Sequence, residues 1–336
     1  MTAKKTPIVV LGAGSWGTAL AIQLMRNGAP VTLWGHTPDH MKKLAEQRTN
    51  ERYLPGITLP AELIITSELK LALTDIQDIL LVVPSHAFRS VLENIQPHIS
   101  NQSRLIWATK GLESGSGKLL HEVAKEVLGE EMALAVVSGP TFAREVAEGL
   151  PTAVTVASTN QDFAHDMAER LHSEAFRAYT SNDVVGVEIG GALKNVLAIA
   201  AGIADGLGFG ANTRTAVITR GLAEMMRFGE ALGGHRETFM GLAGLGDLVL
   251  TCTDNQSRNR RLGLALGRGE SMEDALSHID QVVEGVQTAR EVFELSQREG
   301  VDLPITEQVY EVLYQGRSPK DAVHELLSRE QKPEII

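Results

Sequence analysis

The sequence predicts an α/β fold, with an N-terminal Rossmann-like domain built on a mostly parallel sheet and a C-terminal all-helical domain. Short apolar runs alternate with helical patterns through the first half, as strands and crossover helices do. A glycine motif, Gly12-Ala13-Gly14-Ser15-Trp16-Gly17, stands between the first run and the first helical pattern. Beyond about residue 185, strand-like runs become rare and helical patterns dominate.

The elements follow in order. Pro7 to Leu11 reads as a buried strand, and Thr18 to Met25 continues as a helix that stops at Asn27-Gly28. Val31 to Trp34 is the second strand. Similar runs at Ile79–Val83, Leu105–Ala108, Leu134–Val137 and Ala153–Val156 supply more, with a helix over Lys118–Leu128 between two of them. The later helices are expected over Gly190–Ala201, Arg214–Phe228, Met272–Leu276, Val286–Glu299, Ile305–Leu313 and Pro319–Leu327. The expected division is a dinucleotide-binding domain over 1–189 and a substrate-binding domain over 190–336.

Composition narrows the class. Hydrophobic residues are 43% and charged residues 22%, an ordinary globular balance. The net charge of -11 argues against a broad nucleic-acid footprint, although a local arginine cluster can still hold a small anion. Cys252 is the only cysteine, so no intrachain disulfide and no thiolate metal site is expected. The start, MTAKKTPIVV, runs into a strand without a long apolar region, and no uninterrupted apolar run approaches membrane-spanning length. The expectation is a cytoplasmic protein with neither signal peptide nor membrane span.

In the motif Gly12, Gly14 and Gly17, the first glycine permits a tight turn and the second admits a pyrophosphate close to the backbone. The third lets helix and strand pack closely, and the helix N-terminus offers free N–H groups to the phosphates. GxGxxG alone is a weak signal; the strand-motif-helix-strand context strengthens it. An acid at the end of the second strand often binds the ribose hydroxyls of NAD, but here that end reads Trp34-Gly35-His36 and the first acid is Asp39. His36 leaves room for a 2′-phosphate, which opens the site to NADPH and even to a preference for it, with dual use of NADH and NADPH left open.

Other candidates are read from position. Lys110 lies beyond the carboxyl end of a strand, where α/β sheets bind ligands, and reads equally as a solvated lysine. Ser138-Gly139-Pro140-Thr141-Phe142-Ala143 occupies the equivalent place and reads as a polar-ligand loop or a plain turn and cap. Lys194 stands amid glycines and apolar residues, where burial would lower its pKa toward proton exchange, unless its stem snorkels to water. Asp247, between glycine-rich stretches, could orient Lys194 or cap a turn. Arg258, Arg260 and Arg261 cluster beside Ser257 and Asn259, suited to phosphate or to a solvated helix start. No HExxH or GxSxG occurs, and no metal is expected.

These motifs, in order, resemble those of the bacterial-type NAD(P)-dependent glycerol-3-phosphate dehydrogenase family: GAGSWGTALA, LWGH, VVPSH, WATKGLE, SGPTFA, GGALKNVLAIAAG, GLGDLVLTCTDNQSRNRR and QVVEG. The resemblance spans nearly the whole chain. It implies reduction of dihydroxyacetone phosphate to sn-glycerol 3-phosphate by NADPH or NADH, for glycerophospholipid synthesis, in a homodimer without metal. It further implies cofactor contacts from Ser15, Trp16, His36, Lys110, Ala143, Arg258, Val282 and Glu284. Substrate contacts would come from Lys110, Gly139, Thr141, Asp247, Ser257, Arg258 and Asn259, with Lys194 as the proton-transfer residue. The competing readings are a dehydrogenase for another hydroxy acid, a dinucleotide-binding redox sensor without turnover, and a weaker nucleic-acid module on the three arginines.

Overall fold

The computed structural model describes residues 6–279 and 281–330. Among the described residues ten strands form: β1 Ile8–Leu11, β2 Val31–Trp34, β3 Thr49–Asn50, β4 Leu54–Thr58, β5 Ile64–Thr66, β6 Asp78–Leu81, β7 Arg104–Trp107, β8 Ala133–Ser138, β9 Thr152–Ala157 and β10 Phe176–Ser181. Eight make one sheet in the order β10-β9-β8-β7-β6-β1-β2-β5, and β3 with β4 makes a small antiparallel ribbon. Within the large sheet every pairing is parallel except β8 with β9. All four residues of β1 and of β6 are buried, because helices cover both faces of a parallel sheet.

Chain order reverses between β1 and β6, which leave in opposite directions along the sheet. Such a switch point opens a crevice outside the carboxyl ends of the strands. The five strand runs read after the glycine motif all form, Val31–Trp34 with the ends expected and the other four with shifted ends. The two edge strands carried no comparable signal: only Phe176 is fully buried in β10, Phe-Arg-Ala-Tyr-Thr-Ser, and no residue is in β5, Ile-Ile-Thr. An edge strand needs few apolar residues, so its pattern is weak. The β3–β4 ribbon carries Pro55 and Gly56 in a half-exposed strand and lacks alternation for the same reason.

Helices dominate after β10: Val184–Gly206, Ala211–Ala231, Asp247–Thr253, Arg258–Gly267, Glu284–Glu299, Pro304–Tyr314 and Pro319–Ser328 are the longer ones. Val184–Gly206 is the axis of this half and runs through residue 189 without a break. It is long and apolar enough to cross a membrane, with a mean hydropathy of 1.6, but 94% of that window is buried inside the protein. That makes it a core helix. Glycines bring Arg258–Gly267 unusually close to it: a Cβ on Gly263 would meet the Ile199 carbonyl oxygen at 2.1 Å, and one on Gly202 would meet the Arg260 oxygen at 2.2 Å. Gly206 and Gly267 repeat the contact one turn along.

Candidate active site

The glycine motif takes the shape its residues require. Gly12 has φ +125°, and a Cβ there would lie 2.0 Å from the Val82 carbonyl oxygen. A Cβ on Gly17 would lie 1.9 Å from the Gly12 oxygen, so the Ser15–Arg26 helix presses onto the turn. Gly14 has nothing within 4 Å of its missing Cβ. That open space, above a helix N-terminus without a side-chain cap, fits a dinucleotide pyrophosphate. The β3–β4 ribbon is tied over this turn: Asn50 Nδ2 donates to the Ala13 oxygen at 3.0 Å, and Ser15 Oγ donates to the Tyr53 oxygen at 2.5 Å. Ser15 Oγ also reaches Gln281 Oε1 of the helical half at 3.3 Å.

Opposite this cradle, two lysines share one carboxylate. Lys194 Nζ donates to Asp247 Oδ1 at 2.5 Å and to Thr251 Oγ1 at 3.1 Å, while Lys110 Nζ donates to Asp247 Oδ2 at 2.6 Å. Asp247 is fully buried, at 0% exposure. Glycines again allow the approach: a Cβ on Gly191 would meet Ser138 Oγ at 3.1 Å and the Lys110 stem at 3.5 Å. Burial lowers the Lys194 pKa to about 8; Asp247 opposes that shift and the second ammonium of Lys110 adds to it. Two cations on one anion leave a local positive charge suited to an anionic ligand or a developing alkoxide.

The third wall is the N-terminus of the Arg258–Gly267 helix. Ser257 caps it, its Oγ accepting from the Arg260 N–H at 3.2 Å. Asn259 Nδ2 donates to Asn195 Oδ1 at 2.9 Å, and Asn259 Oδ1 accepts from the Gly285 N–H at 2.9 Å. Asn195 Nδ2 is buried and finds no partner among the described residues. Arg258 donates to the Val282 carbonyl at 2.7 Å. The next arginine serves structure: Arg260 is buried and paired with Asp205, and it donates to the Cys252 oxygen at 2.9 Å. Of the three arginines in this run, Arg258 and Arg261 face the cleft.

One cleft of about 1190 Å³ joins these parts. Its walls include Gly12, Gly14, Ser15, Trp16, Gly17, His36, Lys110, Thr141, Ala143, Lys194, Ser257, Arg258, Asn259, Val282 and Glu284. Gly139 and Asp247 stand behind the wall. A Cβ on Gly139 would crowd Val154 Cα at 2.9 Å, so its role is local shape. Sequence reasoning singled out no role for four further lining residues, Tyr53, Asn195, Thr251 and Gln281. Thr251 lies one helical turn beyond Asp247 and Asn195 directly follows Lys194, so both carried a positional signal. Gln281 opens the QVVEG motif directly before Val282 and carried the same kind of signal; Tyr53 carried none. Among the described residues no group of three or more His, Cys, Asp or Glu could hold a metal ion.

Comparison with known proteins agrees with this geometry. Residues 7–164 match the family described as NAD-dependent glycerol-3-phosphate dehydrogenase N-terminus, and residues 183–324 match its C-terminus. The chain is 58% identical over 328 residues to a glycerol-3-phosphate dehydrogenase [NAD(P)+] of Shewanella halifaxensis, covering 97% of each. It is likewise 58% identical over 329 residues to the Haemophilus ducreyi protein of that name, covering 98% of each. A crystal structure of glycerol-3-phosphate dehydrogenase from Coxiella burnetii superposes with a TM-score of 0.94 at 50% identity, covering 97% of this chain and 100% of that one.

Proposed function

The chain belongs to the NAD-dependent glycerol-3-phosphate dehydrogenase family, and from that premise we propose that Lys194 is the proton donor and acceptor of its reaction. It is an NAD(P)-dependent oxidoreductase that interconverts dihydroxyacetone phosphate and sn-glycerol 3-phosphate, in keeping with glycerophospholipid synthesis. The bound nicotinamide dinucleotide supplies the hydride.

This chain's residues do the rest. Protonated Lys194 donates to the C2 oxygen of the ketone in the reductive direction, and neutral Lys194 takes that proton back in oxidation. Lys110 positions and polarises the same oxygen, and Asp247 holds both ammonium groups at one place. Ser257, Arg258 and Asn259, at a helix N-terminus, bind the substrate phosphate, with Thr141 on the opposite wall and Gly139 shaping the loop just behind it. Gly12, Gly14, Ser15, Trp16, Gly17, His36, Ala143, Val282 and Glu284 hold the dinucleotide, with help from Lys110 and Arg258. Most of the cofactor contacts would then fall within 1–189 and most of the substrate contacts within 190–336, with Lys110, Gly139, Thr141, Arg258, Val282 and Glu284 crossing that division. A homodimer working in the cytoplasm is the assembly and location that the family resemblance supports.

The observation that carries this reading is a buried lysine with a pKa of about 8, held by Asp247 between a dinucleotide cradle and an anion-binding helix end. The test is loss of reduced-cofactor absorbance with dihydroxyacetone phosphate, set against unphosphorylated dihydroxyacetone. Rapid oxidation only with the phosphorylated ketone is the expected result. Equal rates with both ketones would remove the phosphate role of the 257–259 segment.

A further inference from the structure

In the stretch 254–261 every residue lines the cleft except Arg260. Its side chain turns into the protein instead, and the residue is 6% exposed. The guanidinium meets three separate elements. Nε donates to the Cys252 carbonyl, in the last turn of the Asp247–Thr253 helix, at 2.9 Å. One terminal nitrogen donates to Asn255 Oδ1, in the connection between the two helices, and the other to Asp205 Oδ2 near the end of the Val184–Gly206 helix. Asp205 also accepts from Arg214 Nη1 at 2.8 Å, so it is held from a second side. These contacts answer local needs, because the last carbonyls of a helix lack partners within it and a buried carboxylate requires a cation.

The three elements carry the two ends of the site. The Val184–Gly206 helix bears Lys194, and the Asp247–Thr253 helix bears the Asp247 and Thr251 that hold its ammonium. The Arg258–Gly267 helix begins at the Ser257–Asn259 segment assigned above to the phosphate. Residues 254–257 join the last two helices. Within that connection the Gln256 N–H donates to Asp254 Oδ1 at 2.7 Å and the Ser257 N–H to the Asp254 carbonyl at 3.2 Å. The substrate carries its carbonyl and its phosphate on adjacent carbons, so the two ends of the site must keep one spacing. A misplacement of about 1 Å can cost about a hundredfold in rate.

We propose that Arg260 is a positioning residue: clamping the Cys252 carbonyl, Asn255 and Asp205 with one guanidinium, it sets the spacing between the Lys194 ammonium and the phosphate subsite. It acts from behind the cleft wall. This role rests on the dehydrogenase reading above and adds the group that keeps its two ends in register. A guanidinium suits the task because its donors lie in a rigid plane and point to separate acceptors. A lysine ammonium gathers its donors on a single nitrogen at the end of a flexible stem.

The test compares the natural protein with Arg260→Lys and with the double variant Arg260→Met/Asp205→Asn. The double variant removes both buried charges together and so guards against loss of the fold. Thermal melting gives the folded fraction, and kcat/KM is measured for dihydroxyacetone phosphate and for unphosphorylated dihydroxyacetone, with KM for NADPH alongside. We expect both variants to lose about ten- to a hundredfold in kcat/KM for the phosphorylated ketone. The unphosphorylated ketone does not use the phosphate subsite, so its kcat/KM, like KM for NADPH, should change by less than about threefold. The ratio between the ketones should therefore fall about tenfold or more. A merely structural role would lower the folded fraction and scale both ketones by one factor; an unchanged ratio in either folded variant would overturn the proposal. A natural protein that turns over neither ketone would overturn the dehydrogenase reading instead. Calorimetric binding of sn-glycerol 3-phosphate to the same variants, weakened or unchanged, would then decide the role of Arg260.

Discussion

Lys194 concentrates the chemistry at the residue scale. Its ammonium is buried and held by Asp247 and Thr251, so truncation removes a proton carrier without touching the glycine cradle. Lys194→Ala should cost about 10²- to 10⁴-fold in kcat, the usual range for a positioned general acid, while dinucleotide binding measured by fluorescence or calorimetry stays near normal. Near-normal turnover would take Lys194 out of the proton step. The pH dependence follows from the pKa of about 8. Reduction needs the ammonium, so kcat should be level below about pH 8 and fall above it; oxidation needs the amine and should rise up to the same point. Asp247 favours the charged lysine, so Asp247→Asn should move both limbs to lower pH and reduce kcat. A pH profile that stays in place would mean that Asp247 acts only as scaffold.

At the scale of elements, the site depends on how closely two helices can pass. Gly202 and Gly263 put the Val184–Gly206 and Arg258–Gly267 helices nearly backbone to backbone. That crossing sets the Ser257–Asn259 end beside Lys194 and Asn195, as the Asn259–Asn195 hydrogen bond of 2.9 Å records. Glycine inside a helix costs roughly 0.5–1 kcal/mol relative to alanine, so four of them are kept for the space they leave. Gly263→Ala places a methyl 2.1 Å from the Ile199 oxygen and must push the helices apart. It should destabilise the protein by about 1–3 kcal/mol in urea unfolding and raise KM for the phosphorylated ketone more than KM for the cofactor. Unchanged stability would show that the helices can part freely.

Across the whole molecule, the cleft is bridged from both sides. Ser15 meets Gln281, Gln256 Nε2 donates to Glu145 Oε1 at 3.0 Å, and Arg298 donates to the Ser116 carbonyl at 3.0–3.1 Å. A dinucleotide touching walls from both halves should therefore stabilise them together. At a hundredfold excess over Kd, binding adds about 2.7 kcal/mol, so calorimetry should show one unfolding transition moved up by several degrees with NADPH present. Two transitions, of which only the first moves, would show that the halves unfold independently.

Much of this was legible along the chain, and the limit is physical. Local chemistry determined the parallel strand runs, the glycine turn and the helical second half, because backbone geometry and hydrophobic period act over a few residues. The same local logic identified Lys110, Lys194, Asp247 and the Ser257–Asn259 segment as candidates. It left the edge strands β5 and β10 and the β3–β4 ribbon unread, since an edge strand and a half-exposed ribbon need little apolar pattern. It also left Tyr53 unmarked, because that residue belongs to no motif with a mechanism of its own. Tertiary structure alone decided that Lys110 and Lys194, 137 and 53 positions from Asp247, share its carboxylate in a buried site. It also decided that Arg260 turns inward to Asp205, 55 positions away. A lysine's pKa depends on the dielectric and charges around it, and those come from residues far away in sequence, which only the folded chain brings within reach.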